Sequence, residues 1–238
     1  MTDLSAIRPA RRGAAVAFDA GLRRHMLGIY NNMGLGLIVT GLVAMLIAST
    51  PALYQPIFGT PLKWVAMLAP LAFVFFFSFR IDRMTPASAR TAFFAFAAVM
   101  GISLASIFLV FTGASIAQTF FIAASMFLGV SLWGYTTKRD LSRWSTFLFM
   151  GLIGVVIASL VNLFLASSAL QFVVSLAGVL VFTGLTAWDT QRAKSDYLAY
   201  AGTQHADKLA IMGALSLYLN FVNLFQLLLT FFGQHKEA

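Results

Sequence analysis

Apolar runs near the ~20 residues that cross a hydrocarbon core alternate with short polar stretches along most of this chain. Seven runs qualify: Leu27–Ser49, Leu62–Phe79, Thr91–Phe111, Ile116–Tyr135, Trp144–Leu165, Leu170–Gln191 and Leu209–Phe232. The pattern predicts an all-α membrane protein with seven transmembrane helices. Pro70 lies inside the second run, where it is expected to kink the helix. Gly113-Ala-Ser115 and Ala166-Ser-Ser168 join their spans almost directly. Spans three and four, and spans five and six, should therefore pack as antiparallel neighbours. Ser167 or Ser168 is placed to cap the sixth helix. The stretch Ser195–Asp207 reads as helix first, then a turn at Ala201-Gly202-Thr203.

The polar positions inside the runs carry more information. In span seven, Ser216, Asn220, Asn223, Leu227 and Thr230 fall four, three, four and three residues apart, which puts them on one helical face. Such a stripe bonds to neighbouring helices as packing glue, lines a polar cavity, or does both. In span six, Thr183, Thr186, Asp189 and Thr190 share a face. A carboxylate at this depth is costly and is a functional-site candidate by default. Ending the helix at Asp189 would put the acid at the negative end of the dipole, so the helix is expected to run on through Gln191-Arg192-Ala193-Lys194. Arg192 then lies within pairing reach of Asp189. Two readings stand: an interfacial acid paired with Arg192, or a buried acid facing the bundle interior. Asn32, Gly36 and Thr40 in span one, and Gly101, Ser103 and Ser106 in span three, read as close helix contact. Trp64, Trp133, Trp144 and Trp188 fall near predicted span ends, as an aromatic belt would.

Composition sharpens the class. The chain is 60% hydrophobic and only 10% charged, whereas soluble domains are about a quarter charged. One bundle is expected: a polar tail over residues 1–26 and a transmembrane domain over residues 27–233. The net charge of +8 is explained by its distribution. Arg8, Arg11, Arg12, Arg23 and Arg24 precede the first span; Arg80, Arg83 and Arg90 follow the second; Lys138, Arg139 and Arg143 follow the fourth; Arg192, Lys194 and Lys208 follow the sixth. Only Lys63 and Lys236 fall on the other side. This alternation predicts a cytoplasmic N-terminus and an outer C-terminus, and removes any need for a nucleic-acid partner. The lipid bilayer is the expected surrounding. The N-terminus does not read as a cleavable signal.

Catalytic signatures are absent. There is no HExxH, GxSxG, P-loop or dinucleotide fingerprint. The three histidines lie in tails or loops and cannot converge on one metal, and there are no cysteines. A single intramembrane acid does not make an aspartyl protease, which needs two. No enzyme activity and no cofactor are expected.

Several stretches together resemble the Bax inhibitor-1 family of multi-span membrane proteins, in its bacterial branch. They are Tyr30-Asn-Asn-Met33-Gly-Leu-Gly, Met100-Gly-Ile-Ser-Leu-Ala-Ser-Ile-Phe108, Gly134-Tyr-Thr-Thr-Lys-Arg-Asp140, Thr186-Ala-Trp-Asp189-Thr-Gln-Arg-Ala-Lys194 and Ala214-Leu-Ser-Leu-Tyr-Leu-Asn220-Phe-Val-Asn-Leu-Phe225. The resemblance implies a seven-helix fold with the seventh helix at the centre of the other six, and an inner-membrane location. It also implies a pH-sensitive calcium leak in which an aspartate of span six shares a proton with an aspartate of span seven, assisted by an arginine near span two. Asp189 matches the first aspartate and is the candidate metal-contacting residue. The second position is Asn220, and the arginine is Arg83 or Arg80. With Ser216 and Asn223 these residues form the candidate ion path or gate, with Ca²⁺ as the transported ion. Two adjacent carboxylates resist joint ionisation; an Asp–Asn pair does not, so the pH response is expected to be weakened. By the predicted boundaries, Asp189 lies ~5 Å inside Arg192 and Asn220 ~17 Å past Leu209. Contact therefore requires span seven to start later or span six to extend deeper. The competing reading is a non-conducting modulator of another membrane protein, such as a membrane-bound protease, docked through the N-terminal tail.

Overall fold

The computed structural model describes residues 4–201 and 203–236, with side chains over 20–201, 203 and 205–236. Eight α-helices follow one another: α1 (Leu4–Ser49), α2 (Pro51–Phe58), α3 (Leu62–Arg80), α4 (Pro86–Val110), α5 (Gly113–Thr136), α6 (Ser145–Leu165), α7 (Ser168–Tyr200) and α8 (Gln204–Phe232). All but α2 are long and apolar enough to cross a membrane. The described residues form no named strand. A single isolated bridge pairs Phe111 with His235.

Helix ends follow local chemistry. Thr85, Thr112, Ser167 and Thr203 each accept a backbone N–H at the start of a helix, satisfying a donor that the first turn leaves free. Pro86 opens α4 at a position where its missing N–H costs nothing. Pro70 sits buried inside α3 without ending it. The expected α6–α7 turn forms at Ala166, which is left-handed (φ 48°), and Ser167 is the residue that caps. Gly202 of the expected last turn lies outside the described residues, as do the side chains over 1–19 in the N-terminal segment, although α1 already begins at Leu4.

The most extensive helix pairs are α1 with α4 and α7 with α8. In lipid, such pairs gain from close packing and not from expulsion of water, and small residues supply the approach. A Cβ on Gly36 would fall 2.8 Å from the Phe93 ring, and one on Gly101 would fall 2.7 Å from the Thr40 carbonyl. Thr40 also reaches across to α4 and α8: its hydroxyl lies 2.9 Å from the Ala97 carbonyl and 2.6 Å from the Tyr218 hydroxyl. The Tyr218 ring is fully buried, edge-on to Phe93 and Phe96. Helix α8 is the most buried span, 50% against 6% for α6. It packs extensively on α1, α4, α5 and α7. These are four helices, where the resemblance implied six.

One expected pairing does not form. Helices α6 and α7 pack as antiparallel neighbours, but α4 and α5 do not pack along their lengths. Both lean instead on α8, and the chain after α8 binds at their junction. Thr112 N–H donates to the Gln234 carbonyl (2.8 Å), and Lys236 N–H donates to Val110 (2.9 Å). Lys236 Nζ donates to Phe108 (2.8 Å). A short loop fixes proximity at one end only; the packing partners along the helices decide the rest.

Candidate functional site

Helix α7 runs nine residues beyond the predicted span end, to Tyr200. Ser195 to Tyr200 is too polar to count as a span but contains nothing that breaks a helix. The extension places Asp189 and Asn220 at comparable depths. Side chains on a helix lean toward its N-terminus. On the antiparallel pair α7 and α8, Asp189 therefore leans away from the connecting turn and Asn220 leans toward it, so the two converge. Asn220 Nδ2 donates to Asp189 Oδ2 at 2.7 Å, and both residues are buried. The contact that the predicted boundaries could not accommodate is present.

Asp189 and Asn220 line a chamber of about 480 Å³. Its walls come from the middle of α3 (Met67, Pro70, Leu71, Val74), α4 (Met100, Ser103, Leu104) and α6 (Phe149, Leu152, Val156), together with α7 and α8. Ser216, Asn223 and Gln226 face it as well. A second chamber of about 500 Å³ adjoins the first. They share Leu152, Val156, Phe182, Asn223 and Gln226, and the second reaches Thr230 near the far end of α8. On the other side of Asp189, a void of about 40 Å³ lies between α7 and α8, lined by Arg192, Asp196, Met212 and Ser216 among others.

Both readings of the α8 stripe find a counterpart in the structure. Ser216, Asn220, Asn223, Leu227 and Thr230 all line cavities. Asn223 and Thr230 bond only to carbonyls of their own helix, at Leu219 and Leu227. Asn220 is the member whose side chain bonds to another helix. Gln226 belongs to the cavity face too. It stands three residues after Asn223, at helical spacing, beside Leu227, which takes the four-residue step of the stripe.

Several of the expected residues have other neighbours than the sequence suggested. Arg192 pairs with Asp196 (3.8 Å, i to i+4), not with Asp189, and its guanidinium lies 5.4 Å from the centre of the Trp188 ring. Trp188 forms a chamber wall, edge-on to Phe149, and α7 continues past it. Arg80 and Arg83 are exposed and line neither chamber. Arg83 ends the short 3₁₀ turn Ile81–Arg83, which instead receives Lys208 Nζ at the Asp82 carbonyl (3.1 Å).

The rest of the Thr186–Lys194 stretch holds α7 against α5. Thr190 bonds to Ser131 (2.8 Å), which bonds to Tyr30 of α1 (2.5 Å). The Gln191 carboxamide accepts from Leu141 N–H and donates to the Arg139 carbonyl, both at 2.8 Å. Lys194 Nζ donates to the Tyr135 carbonyl. Within that loop, Asp140 is exposed, and a hydrogen bond from the Ser142 backbone N–H holds its carboxyl below the usual aspartate value. Among the described residues no group of three or more acidic or imidazole side chains is placed to hold a metal. Asp189 is the one carboxylate on the chamber wall, joined by neutral amide and hydroxyl oxygens.

Comparison with known proteins agrees with this architecture. The family model described as inhibitor of apoptosis-promoting Bax1 matches residues 22–237. An uncharacterised protein of Rickettsia prowazekii, RP147, is 46% identical over 92% of this chain and 93% of its own length. The inner membrane protein YbhL of Escherichia coli K12 is 43% identical over 95% of this chain and 98% of its own length. Seven apolar spans and an inner-membrane relative support an integral inner-membrane protein. With the match spanning all seven transmembrane helices, the chain belongs to the Bax inhibitor-1 family.

Proposed function

We propose that this protein is a cation leak pathway, with Ca²⁺ as the candidate ion and a weakened response to pH. The observation that carries the reading is the polar face of α8 lining two adjoining chambers, with the Asp189–Asn220 pair between them and the small void beyond. On this reading the pair is the constriction. A passing cation meets one carboxylate and several neutral oxygens. Ca²⁺ prefers six to eight oxygen ligands, often with several carboxylates, so the site suits transient passage better than storage. Arg80 and Arg83 have no part in the route.

The weak pH response follows from Asn220. A carboxamide donating to Asp189 does not compete with it for a proton, so there is no shared proton whose loss or gain would switch the pair. The test is Ca²⁺ release from liposomes carrying purified protein, measured across pH for the wild type and Asn220→Asp. A shallow profile in the wild type and a steep one in the variant support the proposal. A steep acid response in the wild type overturns it.

A further inference from the structure

We infer that the chamber at Asp189 binds a single-chain amphiphilic organic cation that enters sideways from the lipid, through the gap between α3 and α6. The inference rests on the same chamber as the proposed leak, but it does not require the protein to conduct anything.

The gap follows from the packing. Helix α3 packs on α4, and α6 packs on α7; α3 and α6 do not pack on each other. Both contribute mid-helix residues to the chamber, and several of these are also open on the outer surface: Met67 is 52% exposed, Leu71 56% and Val156 50%. Side chains that belong to both the cavity wall and the lipid-facing surface mark its rim. The rim is apolar and lies at the middle of these two spans, so the chamber opens toward hydrocarbon.

The lining selects the ligand. Asp189 Oδ2 is engaged by Asn220, while Oδ1 accepts no hydrogen bond among the described residues. Arg192, the nearest cation on the wall, is drawn to Asp196 and to the Trp188 ring. One acidic oxygen is left to meet one positive charge, and pairing is strong where water is scarce. The remaining wall is largely Met67, Leu71, Val74, Leu152, Val156 and Trp188, matched to an alkyl or aromatic body. The volume of about 480 Å³ falls inside the ~300–1,000 Å³ typical of sites for drug-sized molecules. A bilayer phospholipid fits poorly, because its phosphate would face Asp189 beside its amine. A free single-chain ammonium satisfies charge, shape and route of entry together.

Bromine quenching of Trp188 tests this. The protein carries Phe at positions 64, 133 and 144, so that Trp188 is its one tryptophan, and is embedded in phosphatidylcholine nanodiscs. The probes are undecylammonium, undecanoate and undecanol, each brominated at the terminal carbon, compared at equal membrane content. Saturable quenching by the ammonium probe, severalfold above the other two and lost in Asp189→Asn, is the expected result. Equal quenching by all three probes, or an unchanged response in Asp189→Asn, overturns the inference. If the triple tryptophan replacement does not fold, the native chain and its Asp189→Asn variant give the same comparison as a difference in total quenching. No ion gradient enters the experiment, so a negative flux result and a negative binding result remain distinct.

Discussion

Gly134→Ala should loosen the contact between α5 and α7 that holds Asp189 in position. A Cβ at Gly134 would lie 2.4 Å from the Ala187 carbonyl oxygen and about 3 Å from the backbone atoms Cα and C of the same residue. Comfortable non-bonded contact needs about 3.5 Å, so the helices must part by about 1 Å. The obstacle is helix backbone, which cannot rotate aside as a side chain can. Overpacking of this kind costs about 1–3 kcal/mol. Alanine recovers at most about 1 kcal/mol of helix propensity, so the net effect is destabilising. Gly129, one turn and a half away on α5, has nothing within 4 Å of its would-be Cβ, and Gly129→Ala should be neutral or stabilising. Detergent-micelle unfolding, followed by helical circular dichroism, reads the difference between the two variants. Ala187 lies two residues from Asp189, so Gly134→Ala should also lengthen the 2.7 Å Asn220 contact and alter flux. Equal stability for the two variants would refute the close approach of α5 and α7.

Thr40→Val removes the hydroxyl that meets Ala97 and Tyr218 and leaves the buried Tyr218 hydroxyl without its partner; a loss of about 1–3 kcal/mol is expected in the same unfolding assay. Gln191→Leu frees Leu141 N–H and the Arg139 carbonyl; amide exchange should rise at Leu141 while the ends of α8 stay unchanged. The Asp140 carboxyl should titrate below the usual aspartate value by carbon NMR. Because its folded value is depressed, the turn it holds is fully stabilised above the usual aspartate range and loosens as pH falls through the depressed value.

Much of the architecture was readable from hydropathy alone, because a bilayer imposes one length and one backbone solution on every span. The seven spans appear at nearly the expected residues, and the α8 stripe was legible as a periodicity. What hydropathy could not reveal was where a helix ends once it leaves lipid. The stretch after Gln191 reads as helix first, and α7 does continue to Tyr200; what the span boundary at Gln191 missed is that Asp189 meets Asn220 and that Trp188 lines the chamber. Pairing of charges also escaped. Arg192 lies within helical reach of both Asp189 and Asp196, and spacing alone does not rank them; burial does, since Asp196 is the more accessible partner. The separation of α4 from α5 depends on the tail after α8 and on which helices fill the core, neither of which is a property of the connecting loop.

The central claim is that cations cross beside Asp189. Purified protein in Ca²⁺-loaded liposomes, wild type against Asp189→Ala at neutral pH, tests it most directly. The account predicts measurable release from the wild type and its loss in the variant, with both proteins equally helical. Release that persists undiminished in Asp189→Ala, or none from the folded wild type, would contradict it.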